Sequence, residues 1–268
     1  MTGFSFYLLQ HHFHYITRLE VDMFTINRAF FLSLMTLMMA ATVPAANAAV
    51  GLDRTRLIIN GDQKSETLTV TNHNKEAPYL AQSWVEDESG KKLENEFIAL
   101  PPLQRIEPNS KGQIKVQVMG KDSHAQDRES LYYFNVREIP PKSKKPNTLQ
   151  IALQTRIKMF YRPAGLKLAS GDVPQTALTL TREGDRYRIT NPTGYYVTIV
   201  NMSSTTQGNS NEFKSVMVAP KSSELAEVSA ASLGTKPVLT YINDWGGRPK
   251  LIFSCSGNAC KVTDKKAG

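Results

Sequence analysis

Residues 147–163 read NTLQIALQTRIKMFYRP. Leu149, Ile151 and Leu153 stand at every second position, and Arg156, Lys158 and Arg162 follow. Period-two spacing puts the three apolar side chains on one face of an extended strand. From Leu149 to Arg162 such a strand would span ~45 Å at its usual rise per residue, whereas most strands run about 5–6 residues. One small sheet cannot pair all of it, so part is expected to lie at an edge or to await a partner. The preceding stretch, EIPPKSKKPNT at 138–148, is basic and proline-rich, and Pro140 and Pro141 cannot donate ladder hydrogen bonds. A core strand is the ordinary explanation of an apolar row. The flexible entry and the excess length favour instead an edge that pairs with another chain by strand addition, with Leu149, Ile151 and Leu153 filling the partner's pockets.

The rest of the chain is read around that strand. Residues 23–48, MFTINRAFFLSLMTLMMAATVPAANA, combine Arg28, an apolar run and the small-x-small site Ala46-Asn47-Ala48. This is a secretory signal peptide, too short for a membrane span, and cleavage would leave Ala49 first. Residues 1–22 precede a second Met, Met23, fit no signal pattern and read as an upstream extension. The reading predicts an exported, soluble product with no stable membrane insertion. Formal net charge is +8, and the removed part balances Arg18 and Arg28 against Glu20 and Asp22. Acidic partners are favoured. Nucleic acid fits poorly, because the cations are dispersed through strands without an aromatic–glycine signature.

Alternation with intervening turns recurs in 66–72 (ETLTVTN), 113–119 (QIKVQVM), 131–139 (LYYFNVREI), 185–191 (DRYRITN) and 194–202 (GYYVTIVNM). Turn signals fall at Asn60-Gly61-Asp62, Ser89-Gly90, Pro108-Asn109 and Gly246-Gly247. The fold class is therefore all-β. A single sandwich of the immunoglobulin type takes about 100 residues, so two are expected. The Pro- and Gly-rich stretch at 163–174 separates a first domain at 49–163 from a second at 171–264. The tail at 265–268 is expected to be unstructured, Trp84 to lie in a core, and no internal repeat is visible at the residue level.

Catalytic chemistry finds little support. Three of the five histidines precede the cleavage site, and His73 and His124 sit in polar, turn-like stretches. Cys255 and Cys260, in CSGNAC, are the only cysteines; export makes a disulfide the default, pinning a hairpin. No metal site of ordinary composition can be assembled, and no P-loop, dinucleotide fingerprint or G-x-S-x-G elbow occurs. No cofactor is expected. The acidic cluster Glu86, Asp87, Glu88, Glu94 and Glu96 reads as a solvated hairpin tip. Arg56, in LDRTRLII, and Lys158 would bind a carboxylate through charge-assisted hydrogen bonds if they converged at a domain junction. Lys158 has the opposite parity to Leu149, so a bulge or strong twist is required for both to face one partner.

Seven segments together resemble the periplasmic pilus-assembly chaperones: LDRTR (52–56), PYLAQSW (78–84), LPPLQRIEP (100–108), QDRESLYYFNVREIPP (126–141), LQIALQTRIKMFYRP (149–163), NPTGYYVT (191–198) and YINDWGGRP (241–249). The similarity runs from Ala49 to about Val262; residues 1–22 have no counterpart. The resemblance implies two immunoglobulin-like domains set at an angle about a cleft. It implies donor-strand complementation of pilus subunits and delivery to an outer-membrane usher, without catalysis. The short loop at 138–148 resembles the subclass that assembles rod-like pili. Carried over, Arg56 and Lys158 anchor the subunit's C-terminal carboxylate, and Leu149, Ile151 and Leu153 form the donated row. Glu138, Arg162 and Asp244 form an interdomain ionic network. Pro101, Pro102, Leu103 and Arg105 form the usher-facing surface, and Cys255 and Cys260 match the family's disulfide. An exposed edge strand also predicts self-association of the subunit-free protein. Two rivals stay open: an immunoglobulin-like adhesin working through its loop tips, and a glycan-processing enzyme using Glu86–Glu88.

Overall fold

The computed structural model describes residues 49–120, 124–210 and 213–268. The expected upstream extension at 1–22 and the expected signal peptide at 23–48 lie outside the described residues. Strands β1 (Val50–Leu52), β2 (Arg56–Asn60), β3 (Ser65–Asn72), β4 (Tyr79–Glu86), β5 (Phe97–Leu100), β6 (Leu103–Ile106), β7 (Lys111–Val118), β8 (Ser130–Ile139) and β9 (Gln154–Arg162) build the first sandwich. One sheet has the order β1-β3-β7-β5, the other β2-β9-β8-β4-β6. Alternate residues of facing strands meet inside: Leu68 and Val70 from β3, Ile114 and Val116 from β7, against Leu57, Ile59, Val85, Phe134 and Met159 of the other sheet. Each such side chain contributes about 1.5–3 kcal/mol when fully buried.

The second sandwich contains β10 (Thr179–Glu183), β11 (Arg186–Asn191), β12 (Val197–Ser203), β13 (Val216–Val218), β14 (Ser222–Leu225), β15 (Val238–Ile242), β16 (Lys250–Ser256) and β17 (Ala259–Lys266), with the one-turn helix α1 (Ala230–Leu233) before β15. Its strands are hydrogen-bonded in one continuous order, β13-β12-β15-β16-β17-β10-β11-β14, around a separate core. Two irregularities let one sheet wrap that core. A register shift in β12 between Ile199 and Asn201 allows Val197, Ile199 and Met202 all to point inward despite their broken parity. A second shift, between Ile252 and Phe253, bends the β16–β17 hairpin. Beyond it Cys255 and Cys260 face each other across the hairpin and are disulfide-bonded.

Each core is closed by a buried asparagine at a strand end. Asn72, ending β3, donates through Nδ2 to the carbonyls of Ala77, Ile106 and Glu107, while its Oδ1 accepts from Asn74 N. Asn191, ending β11, donates to Tyr195, Val218 and Ala219 and accepts from Thr193 N. Both follow a β-branched residue and a threonine, as Val70-Thr71-Asn72 and Ile189-Thr190-Asn191. A correspondence between the two halves therefore exists in the stitching of loops, where a search for repeated residues passes over it.

Three expectations are corrected. Trp84 is half-buried on the outer face of β4, because Ala81, Ser83 and Val85 take the inward parity; its indole N–H donates to Glu86 Oε1 at 2.7 Å. His124 is buried against Phe97 and Tyr161, with ring centroids at 5.3 and 4.1 Å. Its Nδ1 meets the Tyr132 hydroxyl at 3.0 Å, and burial holds its pKa below the usual histidine range. The polar neighbours that suggested a turn gave no sign of an aromatic box assembled from distant strands. Finally, Lys265 and Lys266 extend β17, opposite Leu251 and Lys250.

Asn72→Ala would leave the buried Ile106 carbonyl and the part-buried Ala77 and Glu107 carbonyls without their shared donor, and a loss of about 1–3 kcal/mol is expected. Urea unfolding should show it, with a similar loss for Asn191→Ala; losses near zero would contradict the stitching role.

Candidate functional site

β9 has neighbours of unequal length. Antiparallel β8 pairs with it from Gln154 to Tyr161, whereas parallel β2 pairs only from Lys158 to Arg162. On the β2 side, residues 154–157 therefore face no strand among the described residues. Upstream, 148–153 belong to no strand, although Glu138 N still donates to Leu153 O at 2.9 Å. The long strand of the sequence reading is thus half built: Leu149, Ile151 and Leu153 are 86, 65 and 46 % exposed. They share the odd parity of Ile157, Met159 and Tyr161 in the core of the first sandwich, so an extended 148–153 would continue that stripe.

At the end of this open edge, Arg56 stands opposite Lys158 in the parallel register. Like charges directly opposite are destabilising, and these two are also poorly solvated. Arg56 is 7 % exposed; its Nη1 donates to Ile242 O at 3.2 Å, and its Nε has no partner among the described residues. Lys158 Nζ reaches only Thr198 Oγ1, at 3.5 Å. Burial pulls the pKa of both cations down, and Arg56 lowers Lys158 further. Neither has a salt bridge among the described residues, so two cations stand together at this edge without a carboxylate partner. The β8–β9 register runs from Gln154 to Tyr161 without a shift. The expected bulge is absent between Gln154 and Tyr161, and Leu149, Ile151 and Leu153 lie upstream of the strand in which Lys158 stands.

Arg162, nearly buried, organises the junction between the sandwiches. Its Nε donates to Glu129 Oε1 at 2.8 Å, and its Nη1 and Nη2 to both oxygens of Asp244 at 2.8 and 3.1 Å. Burial works against the arginine charge, but the bonds to Asp244 and Glu129 outweigh it. Burial pushes the Glu129 carboxyl up, Arg162 opposes this, and Tyr196 N donates to its other oxygen at 2.7 Å. Nearby, Lys221 of the second sandwich pairs with Asp127 of the first, and Lys221 with Arg128 lowers the Asp127 pKa to about 2.

Glu138 is not a member of this network, which corrects the expectation drawn from the resemblance. The β8–β9 pairing places Ser130 opposite Tyr161, so Glu129 falls beside Arg162. Glu138 is nine residues further along, ~30 Å away at strand rise; there it accepts Val50 N at 2.8 Å. The register was the missing signal: once 130–139 and 154–162 are read as an antiparallel pair, the carboxylate facing Arg162 has to lie at the start of β8.

Pro101, Pro102, Leu103 and Arg105 sit on the β5–β6 turn and on β6, the outer strand of its sheet. Ser83 Oγ donates to Pro101 O and Ser83 N to Pro102 O, Leu103 is exposed, and Arg105 pairs with Glu107. Of the acidic cluster, Glu86 binds Trp84 and Arg156, Asp87 caps its own turn and Glu96 accepts the Tyr132 hydroxyl. Among the described residues no group of three His, Cys, Asp or Glu is placed to hold a metal, and no helix is long and apolar enough to cross a membrane.

Residues 49–167 match the family described as pili and flagellar-assembly chaperone, PapD N-terminal domain, and residues 174–253 match the PapD C-terminal domain. The chain belongs to the pili-assembly chaperone family. Among curated relatives, the chaperone protein PapD of Escherichia coli is 48 % identical over 227 residues, covering 84 % of this chain and 94 % of PapD. The probable fimbrial chaperone YfcS of Escherichia coli K12 is also 48 % identical, covering 87 and 93 %. The crystal structure of the periplasmic chaperone SfaE is similar with a TM-score of 0.60 at 31 % identity, covering 82 % of this chain and 98 % of SfaE. These relatives are named as chaperones, and the immunoglobulin-like double sandwich is the architecture found here.

The network gives a test by coupling. Glu129→Ala and Asp244→Ala share Arg162, so their stability losses should be non-additive by about 0.5–3 kcal/mol, whereas Glu138→Ala and Asp244→Ala should add. Urea titration of the single and double variants reads this directly; additivity in the first pair would dissolve the proposed sharing.

Proposed function

We propose that this protein is a periplasmic chaperone for pilus subunits, lending residues 148–157 as a strand and holding the subunit's C-terminal carboxylate on Arg56 and Lys158. The observation that carries the reading is the pairing of those two half-desolvated cations at the end of an unfilled sheet edge. With Arg56, Lys158, Arg162, Glu129 and Asp244 all ionised, three cations face two carboxylates, leaving one positive charge. A single carboxylate neutralises it and satisfies donors that now have poor partners.

The direction of the guest strand follows. β2 starts at Arg56 and runs parallel to β9. A guest that fills the edge upstream and ends in a carboxylate at Arg56 runs the same way, parallel to β9. Its main chain bonds to residues 154–157 and to an extended 148–153, while Leu149, Ile151 and Leu153 enter its open core. The work needs no catalysis and no nucleotide. Pro101, Pro102, Leu103 and Arg105, on an exposed outer strand, are the surface offered to an outer-membrane usher. Without a subunit, the same bare edge supports pairing with a second copy.

In a tagged pull-down from the native periplasm, small pilin-like chains should accompany the wild type and vanish with Arg56→Ala, whose affinity should fall about 100-fold (~3 kcal/mol). Recovery of the same chains with both proteins, or with neither, would refute the anchor. Binding should also weaken at alkaline pH. Only charged Lys158 attracts the carboxylate, and its pKa lies below that of an ordinary lysine, so affinity should begin to fall before the usual lysine range. Lys158→Arg should abolish that fall in a titration by peptide anisotropy.

A further inference from the structure

Trp245 is 89 % exposed, more than any other large apolar side chain described. Its loop is rigidly held. Asn243 Oδ1 accepts from Trp245 N at 3.1 Å and Gly247 N at 2.8 Å, and Gly246 N donates to Asn243 O. Asp244, one residue before it, is bonded twice to Arg162. On the other side Gly246, at a φ of +84°, lies so close to Thr55 that an added Cβ would meet Thr55 Oγ1 at 2.7 Å. The indole is therefore presented by a fixed support that abuts the residue just before Arg56. Trp245, Asp244, Tyr241 and Arg56 line one cleft of about 940 Å³.

We infer that Trp245 packs against the side chain of the guest strand's last residue, and so selects clients that end in an apolar or aromatic side chain. This rests on reading Arg56 and Lys158 as the carboxylate anchor. β2 begins at Arg56, so Thr55 and the loop against it stand on the side from which the guest arrives. A carboxylate fixed at Arg56 brings the terminal side chain into the cleft that the indole lines. Tryptophan is the residue type most able to turn such a contact into affinity, because its large surface loses little conformational freedom on binding.

The chain has two tryptophans, so Trp84→Phe leaves Trp245 as the sole indole emitter. The probes are labelled synthetic peptides of about ten residues, the length of the open edge at strand rise. They alternate valine and threonine and end in Phe or in Ala, each as free acid and as amide. Binding is read by anisotropy and the environment of Trp245 by emission wavelength and acrylamide quenching. Binding of the Phe-ended acid should shift emission to the blue and protect against quenching. Trp245→Ala should weaken that peptide about tenfold while leaving the Ala-ended acid nearly unchanged. Binding with unmoved emission, or equal losses for both peptides, overturns the inference and leaves the anchor standing. Failure of the acids to bind, or equal binding of the amides, overturns anchor and inference together. A blue shift that tracks protein concentration without peptide assigns the indole to a second copy and also overturns it.

Discussion

The hydrogen-bonding capacity of β9 is unequally used. One edge is taken by β8 over most of its length, and the other by β2 only from Lys158 onward. Main-chain groups that a sandwich would normally pair are left at a border, and three large apolar side chains just upstream of the last paired residue are exposed to solvent. A chain segment placed there completes a sheet and covers Leu149, Ile151 and Leu153 in one step. Leu57, Ile59, Phe134 and Met159 close the core of the first sandwich beyond the gap.

Charge placement follows from the same strand. Arg162 and Lys158, at alternate positions on one face of β9, are treated oppositely by their neighbours. Arg162 is saturated by Glu129 and Asp244, which ties the second sandwich to the first. Lys158 receives instead a second cation, Arg56, and a distant hydroxyl. Removing a buried charge from its partners costs several kcal/mol, so the saturated arginine resists rearrangement, whereas Arg56 and Lys158 have no such partner among the described residues to lose. A saturated cation and a poorly partnered one thus lie only four residues apart on β9.

Much of this was legible in the residues. Alternation located β3, β7, β8, β11 and β12, because half-buried strands carry their period in the side chains. The excess length of 149–162 signalled an unfilled edge. What failed did so for identifiable reasons. Trp84 was assigned by residue type, whereas its parity with Gln82 and Glu86 already placed it outside. Glu138 was assigned by motif, whereas strand register selects Glu129. His124 was assigned from its neighbours in sequence, and its environment comes from Phe97, Tyr132 and Tyr161 on other strands. The second sandwich's continuous sheet depends on register shifts that leave no compositional trace.

Residues 148–153 stand outside any strand, while 154–162 are already held by β8. On the proposed function, half of the guest's binding edge is thus preformed as strand and half would have to become extended on contact. Fixing backbone costs roughly 1–2 kcal/mol of entropy per residue, so extending this segment opposes binding by about 6–12 kcal/mol in total. Part of the gain from the guest's main-chain bonds and buried apolar surface is consumed in that way. On that reading the paired end near Lys158 would give a place to start, and the unpaired end near Leu149 would keep the finished complex from becoming permanent. A carrier that has to surrender its cargo is served by a grip that loosens from one end.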